Sequence, residues 1–274
     1  MGDERVWIPL TEIHCGTDLT KTGDHGDRSM LETTLARLTL AIANRDHLSL
    51  AADQLRNLPV PNVLMQPRNH DTGPGLLSCL LRLERRDPWA TVAVFPSEHY
   101  IREHRAFLSH VARAIALVHR FPTRIVLLGM TPDRPEAGFG YLKPGPPLPG
   151  DAAAFRVVSF VEKPTPEMAA DIIRRGGLWN SFVMVFRLDR MLTLLRRRRP
   201  WDCAVLREFD EDAYPALTPW NASRDFLAHI PTALAVLQVD EVGWSDWGTP
   251  EAIERTFRDL DLAPPWALAG SCGR

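Results

Sequence analysis

Two short runs, Thr91–Phe95 and Arg124–Met130, are almost wholly apolar and do not alternate with polar residues. Strands buried on both faces have this pattern, because neither side of the pleat meets water. Between them Phe107, Leu108, Val111, Ile115 and Val118 recur at helical spacing, which predicts a helix over Tyr100–Phe121. Strand, helix and strand at this length predict a parallel crossover unit. Further strands are predicted over 155–161, 181–187 and 233–239. Thr165-Pro166-Glu167 and Thr249-Pro250-Glu251 each open a helix. In both, threonine caps, proline presets φ and glutamate meets the positive helix end. Arg196 to Arg199 follow Leu192, Leu194 and Leu195. A solvated helix C-terminus favoured by the dipole outweighs a phosphate patch there. The order of elements predicts an α/β domain over 1–262 and a flexible tail over 263–274.

Composition narrows the classes without choosing one. The chain has 274 residues, 45% hydrophobic and 24% charged, with a formal net charge of −2. That is ordinary for a globular protein, and no global field draws it to nucleic acid or membrane. No apolar run approaches the ~20 residues that cross a bilayer, and Met1 to Arg5 have no apolar core of the signal-peptide kind. Cys15, Cys79, Cys203 and Cys272 lie far apart, which disfavours a zinc site and suits reduced thiols in a cytoplasmic protein. The 23 prolines fall mostly between apolar runs and punctuate loops.

The chemistry-bearing groups stand at predicted strand ends, where open α/β sheets bind ligands. Pro96-Ser97-Glu98-His99 follows one strand, and Gly243-Trp244-Ser245-Asp246-Trp247-Gly248 follows another. Glu98 and Asp246 suit a hard cation shared with phosphate oxygens; the alternatives are a helix cap and a turn residue. Phe160-Val161-Glu162-Lys163-Pro164 sets a carboxylate and an ammonium after a strand. Lys163 can neutralise phosphate and Glu162 can accept sugar hydroxyl protons; the alternative is a surface ion pair. In Trp179-Asn180-Ser181, Asn180 offers a donor and an acceptor and Trp179 a shield, or the two are a turn residue and a core residue. The polar loop from Gln66 to Gly75, with His70 and Thr72, precedes an apolar helix and can present N–H groups to a base or phosphate. A loop histidine such as His70 more often faces solvent. Gly138-Phe139-Gly140-Tyr141 is a close-approach turn. No nucleophile–histidine pairing stands out, which favours transfer by positioning and charge neutralisation.

Taken together and in this order, the motifs resemble those of mannose-1-phosphate guanylyltransferases, within the sugar-1-phosphate nucleotidyltransferases. The resemblance runs from about Arg28 to Arg258. It implies a Rossmann-like mixed, mostly parallel sheet with flanking helices. It implies attack by a sugar 1-phosphate, mannose 1-phosphate first, on a nucleoside triphosphate, GTP first. Mg²⁺ would lie near Glu98 and Asp246, with Lys163 and Asp246 catalytic. Glu162, Asn180, Thr72 and Gly140 would bind the sugar phosphate, and Gly2, Lys21, Gln66 and His70 the nucleotide. No nucleic-acid or membrane partner is implied, and a homo-oligomer is compatible. The family opens with an apolar strand running into a glycine-rich loop, GGxGTRLxPLT. Here Gly2, Asp3, Pro9, Leu10 and Thr11 fit the end of that pattern, so the first strand is expected to be missing and Glu4 to oppose phosphate. The segment 39–46 looks short for a second strand. Two outcomes follow: an active nucleotidyltransferase, or a degenerate homologue that binds a nucleotide sugar without turnover.

Overall fold

The computed structural model describes residues 6–11, 39–45, 62–207 and 214–262. In chain order the strands are β1 (Val6–Thr11), β2 (Thr39–Asn44), β3 (Val63–Gln66), β4 (Thr91–Pro96), β5 (His99–Ile101) and β6 (Ile125–Met130). They continue with β7 (Gly140–Leu148), β8 (Asp151–Glu162), β9 (Leu178–Arg187), β10 (Leu234–Val239) and β11 (Trp244–Asp246). The α-helices are α1 (Thr72–Glu84), α2 (His104–Arg120), α3 (Pro166–Arg174), α4 (Leu188–Arg198), α5 (Pro200–Arg207), α6 (Ala222–Asp225) and α7 (Pro250–Asp259). Thr165 and Thr249 cap α3 and α7 through bonds from Met168 N and Ala252 N, as their sequence predicts.

Among the described residues nine strands form one mixed sheet in the order β3-β2-β1-β4-β9-β6-β10-β8-β7, with β8 and β9 running against the rest. The apolar strands feed two cores alternately. Val92 and Val94 of β4, Ile125 and Leu127 of β6, and Leu234 and Val236 of β10 face α1 and α4. Ala93 and Phe95, Val126 and Leu128, and Ala235 and Leu237 face α2. A strand between two helix layers has no wet side, hence its unbroken hydrophobicity.

The structure corrects four expectations. The first strand is present: Val6–Thr11 lies between β2 and β4 and pairs parallel with both. Pro9 stands opposite Leu40 inside this ladder, so Pro9-Leu10-Thr11 are strand, not the end of a glycine loop. The short segment from Thr39 still makes a full β2. β4 and β6 share a direction but are not neighbours, because β9 inserts between them antiparallel to both. Helix α2 starts at His104, since His99–Ile101 instead pairs with Trp244–Asp246 in a separate two-stranded ladder.

One more pairing shapes the site. Strand β7 bonds to β8 on one side and, over Gly140–Leu142, to β9 on the other. Strands β6, β9, β7, β8 and β10 thus close a circuit beside the open part of the sheet.

Candidate active site at the carboxyl rim

At the carboxyl end of β6, four residues from four strands stand abreast. Gly129 pairs with Asn180, Asn180 with Gly140, and Gly140 with Glu162. A Cβ on Gly140 would sit 2.5 Å from Glu162 Oε2, so glycine is what leaves room for the carboxylate over β7. Glu162 Oε2 is buried and has no hydrogen-bond partner among the described residues. Burial pushes this carboxyl above its ordinary range; Lys163 and Arg224 oppose the shift, and Asp71 and Asp225 reinforce it. A buried carboxylate with an open lone pair is built to accept a hydrogen bond from something else.

The next residue, Lys163, leaves the strand with φ 47°, a left-handed turn that costs a non-glycine residue about 1–3 kcal/mol. Its N–H donates to Phe139 O at 3.1 Å, tying the turn to the start of β7. Its side chain is exposed at the rim. Asn180 stands at a bulge in β9. Its Oδ1 accepts from Phe182 N at 3.2 Å, where Phe182 has φ 61°, and Ser181 Oγ donates to Leu128 O at 2.7 Å. That leaves the Asn180 amide NH₂, which reaches Ser223 Oγ at 3.4 Å. Trp179 is a core residue, not a shield: it is buried and donates to the Tyr141 hydroxyl at 2.9 Å.

A loop from the other half of the sheet completes this face. Thr72, the first residue of α1, accepts from Ala222 N at 3.0 Å, leaving its hydroxyl proton for another acceptor. Asp71 accepts from Thr72 N at 2.7 Å and from Asn221 Nδ2 at 3.0 Å. Thr72, Gly140, Glu162, Lys163 and Asn180 therefore share one neighbourhood, as the motifs predict. The segment Asn221–Asp225 joins them, and no motif announces it.

Gln66 and His70 form a second group at the end of β3. Gln66 Nε2 donates to the Tyr214 hydroxyl at 2.8 Å, and the His70 ring lies 5.1 Å from the Tyr214 ring. His70 does not face solvent: it is buried, and burial, then Arg68, lowers its pKa. Gln66 Oε1 and His70 Nδ1 have no partner among the described residues. Gly2 and Lys21 lie outside the described residues.

Glu98 and Asp246 both lie at the small ladder. Asp246 is inside β11, opposite His99, and not in a turn. Glu98 lies in the turn before β5 rather than capping α2, and its carbonyl accepts from Trp247 N at 2.9 Å. Asp246 Oδ1 accepts from Gly248 N at 2.7 Å. His99 is fully enclosed against Trp244, and burial drives its pKa down to about 4 despite Asp246 beside it. The rings of Phe139, Trp179 and Trp244 pack together at 5.2–6.0 Å and join this ladder to the Gly140–Asn180 row. Among the described residues no group of three His, Cys, Asp or Glu side chains could hold a metal alone. Two carboxylates at this rim suit a hard cation that brings phosphate oxygens and water with it; they do not fit a protein-only cage.

Three of the four arginines in the run are engaged structurally. Arg196 pairs with Glu84 at 2.6 Å, Arg198 donates to His229 O at 2.8 Å, and Arg199 lies 4.5 Å over the Trp220 ring. Among the described residues no helix is long and apolar enough to cross a membrane.

Comparison with known proteins agrees with this geometry. The profile of the nucleotidyl transferase family matches residues 24–261. Mannose-1-phosphate guanylyltransferase ManC of Salmonella typhimurium is 33% identical over 253 residues, covering 82% of this chain and 52% of its own. Xanthan biosynthesis protein XanB of Xanthomonas campestris is 31% identical over 268 residues, covering 89% of this chain and 55% of its own. The chain thus spans about half the length of these relatives. In fold it resembles a crystal structure described as a mannose-1-phosphate geranyltransferase from Thermus thermophilus, with TM-score 0.77 and 24% identity over 92% of this chain and 79% of that one. It also resembles a mannose-6-phosphate isomerase from Helicobacter pylori, with TM-score 0.72 and 20% identity over 88% of this chain and 99% of that one. With its mixed sheet, its helices on both faces and its polar rim, this chain belongs to the nucleotidyl transferase family.

Proposed function

We propose that this protein joins a sugar 1-phosphate, mannose 1-phosphate first, to a nucleoside triphosphate, GTP first, giving a nucleotide sugar and pyrophosphate. The observation that carries this reading is the Glu162–Gly140–Asn180 row, where a buried carboxylate oxygen with no partner among the described residues lies over a glycine whose other register partner is Asn180. Sugar hydroxyls both donate and accept, so they suit such a pair better than an apolar ligand would. The exposed Lys163 ammonium neutralises phosphate beside the sugar. Gln66 and His70 hold the nucleotide side, with one open polar atom each.

In the reaction an oxygen of the sugar phosphate attacks the α-phosphorus. One P–O bond forms, the bond to the β-phosphate oxygen breaks, and pyrophosphate leaves with the electron pair. The attacking phosphate is already ionised, so no general base is needed. Rate comes from alignment and from neutralising charge at the rim. Asp246, with Glu98, would hold Mg²⁺, which when bound offsets phosphate charge. Substrates of this kind are those of a cytoplasmic enzyme.

The test is pyrophosphate release from GTP and mannose 1-phosphate, with Asp246→Ala alongside. Release by the wild type and its loss in the variant are expected. Turnover that survives in Asp246→Ala removes the metal assignment. Binding of GDP-mannose without any pyrophosphate release favours the non-catalytic homologue.

A further inference from the structure

The loop before α1 and the segment before α6 lie about 150 positions apart in sequence, yet they are bonded almost residue for residue. Trp220 N donates to His70 O at 3.3 Å, and Gly73 N donates back to Trp220 O at 3.0 Å. Between these rungs, Asn221 Nδ2 donates to Asp71 Oδ1 at 3.0 Å and Ala222 N to Thr72 Oγ1 at 3.0 Å. Beyond them, Ser223 Oγ meets the Asn180 amide at 3.4 Å. This ladder runs from His70 to Asn180, which stand on the nucleotide side and the sugar side in the function proposed above.

Two features mark it as more than a loop contact. Asp71 has φ 67° and ψ −177°, a region that is essentially glycine's alone. A side chain there is strained, and it persists because its Oδ1 accepts from both Thr72 N and Asn221 Nδ2. Asn221 is itself fully used: its Oδ1 accepts from Ser223 N at 3.0 Å and Arg224 N at 2.9 Å, capping α6, while its NH₂ grips Asp71. One amide therefore sets the place of both Thr72 and Ser223.

We propose that Asn221 and Asp71 are a positioning pair that locks the nucleotide-side loop to the sugar-side row, so that neither substrate pocket is formed without the other. This rests on the nucleotidyl-transfer reading. Asn221→Asp keeps the acceptor that caps α6 but sets a carboxylate against Asp71. Asp71→Asn added to it removes the repulsion and can turn its NH₂ to the new carboxylate, which restores the bond across the pair at the expense of the bond from Thr72 N, because one Asp71 oxygen accepts both.

The experiment measures GDP-mannose affinity, KM for both substrates and the melting temperature for wild type, Asn221→Asp and the double variant. Asn221→Asp is expected to weaken GDP-mannose binding and raise both KM values roughly tenfold or more. The double variant should bind GDP-mannose at least about threefold more tightly than Asn221→Asp while staying weaker than wild type. Wild-type affinity and KM values in Asn221→Asp overturn the pair. So does a double variant that melts with the wild type yet binds no better than Asn221→Asp, because restored folding would not have restored binding. A wild type that neither binds GDP-mannose nor releases pyrophosphate overturns the functional reading and this pair with it, a result distinct from either of the others.

Discussion

Glu162 carries opposite consequences for stability and for function. Its carboxyl titrates above the ordinary carboxylate range because it is buried. A raised folded-state value means the fold prefers the protonated form, so stability falls as pH rises through that window and the ionised group is a net cost at neutral pH. Glu162→Gln should therefore raise the melting temperature by about 1–4 °C. The same change removes the charged acceptor and should lower turnover about 10–100-fold. Calorimetry and a pyrophosphate assay on one preparation check both signs. Gly140→Ala makes the converse case. Its Cβ would displace Glu162 Oε2, the free end of a side chain, so the fold should tolerate it while sugar-phosphate affinity drops about tenfold, read as a rise in KM. Glu162, Lys163 and Asn180 were legible in the sequence because each sits in a compact motif beside an apolar run. Asn221 and Asp71 were not: each is an ordinary turn residue until the other, 150 positions away, is placed against it.

At the scale of elements, the docking of α1 depends on Gly73, whose added Cβ would overlap the Trp220 ring. Trp220 is buried, at 2% exposure, with Phe226 on one side and Arg199 on another, and cannot give way cheaply. Gly73→Ala should cost about 1–3 kcal/mol, seen as a lower denaturant midpoint at unchanged slope. The contrast with Gly140→Ala separates a glycine needed for packing from one needed for a ligand. The apolar strands β4, β6, β9 and β10 were legible because a two-sided core demands an unbroken run. Strand β7 was hidden, since Pro144, Gly145, Pro146 and Pro147 argue against a strand. It forms because those residues fall where its ladder with β8 shifts register, and its ordered start is held from both sides. The place of β9 between β4 and β6 was also beyond a local reading: neither strand's own residues specify its neighbour.

For the whole molecule, His99 couples acidity to the integrity of the rim. It is buried neutral, with a pKa moved from 6.5 to about 4, chiefly by burial. The depressed value means the fold disfavours the charged ring, so this contribution to stability is intact above pH 6.5 and is lost progressively as pH falls toward 4. Melting temperature should decline across that window, and His99→Gln should flatten the decline.

The circuit closed by β7 and β9 has a consequence for how such a protein can change. Gly140–Leu142 is clamped between two ladders, so these residues cannot slide without breaking both at once, and a slip of one place would thrust Tyr141 onto the carboxylate. The far tip of the hairpin, around Gly150, bears no such constraint from β9. Insertions there can lengthen or reshape the ribbon while the ligand end stays fixed, which makes the tip the natural place to graft a new surface onto an old pocket.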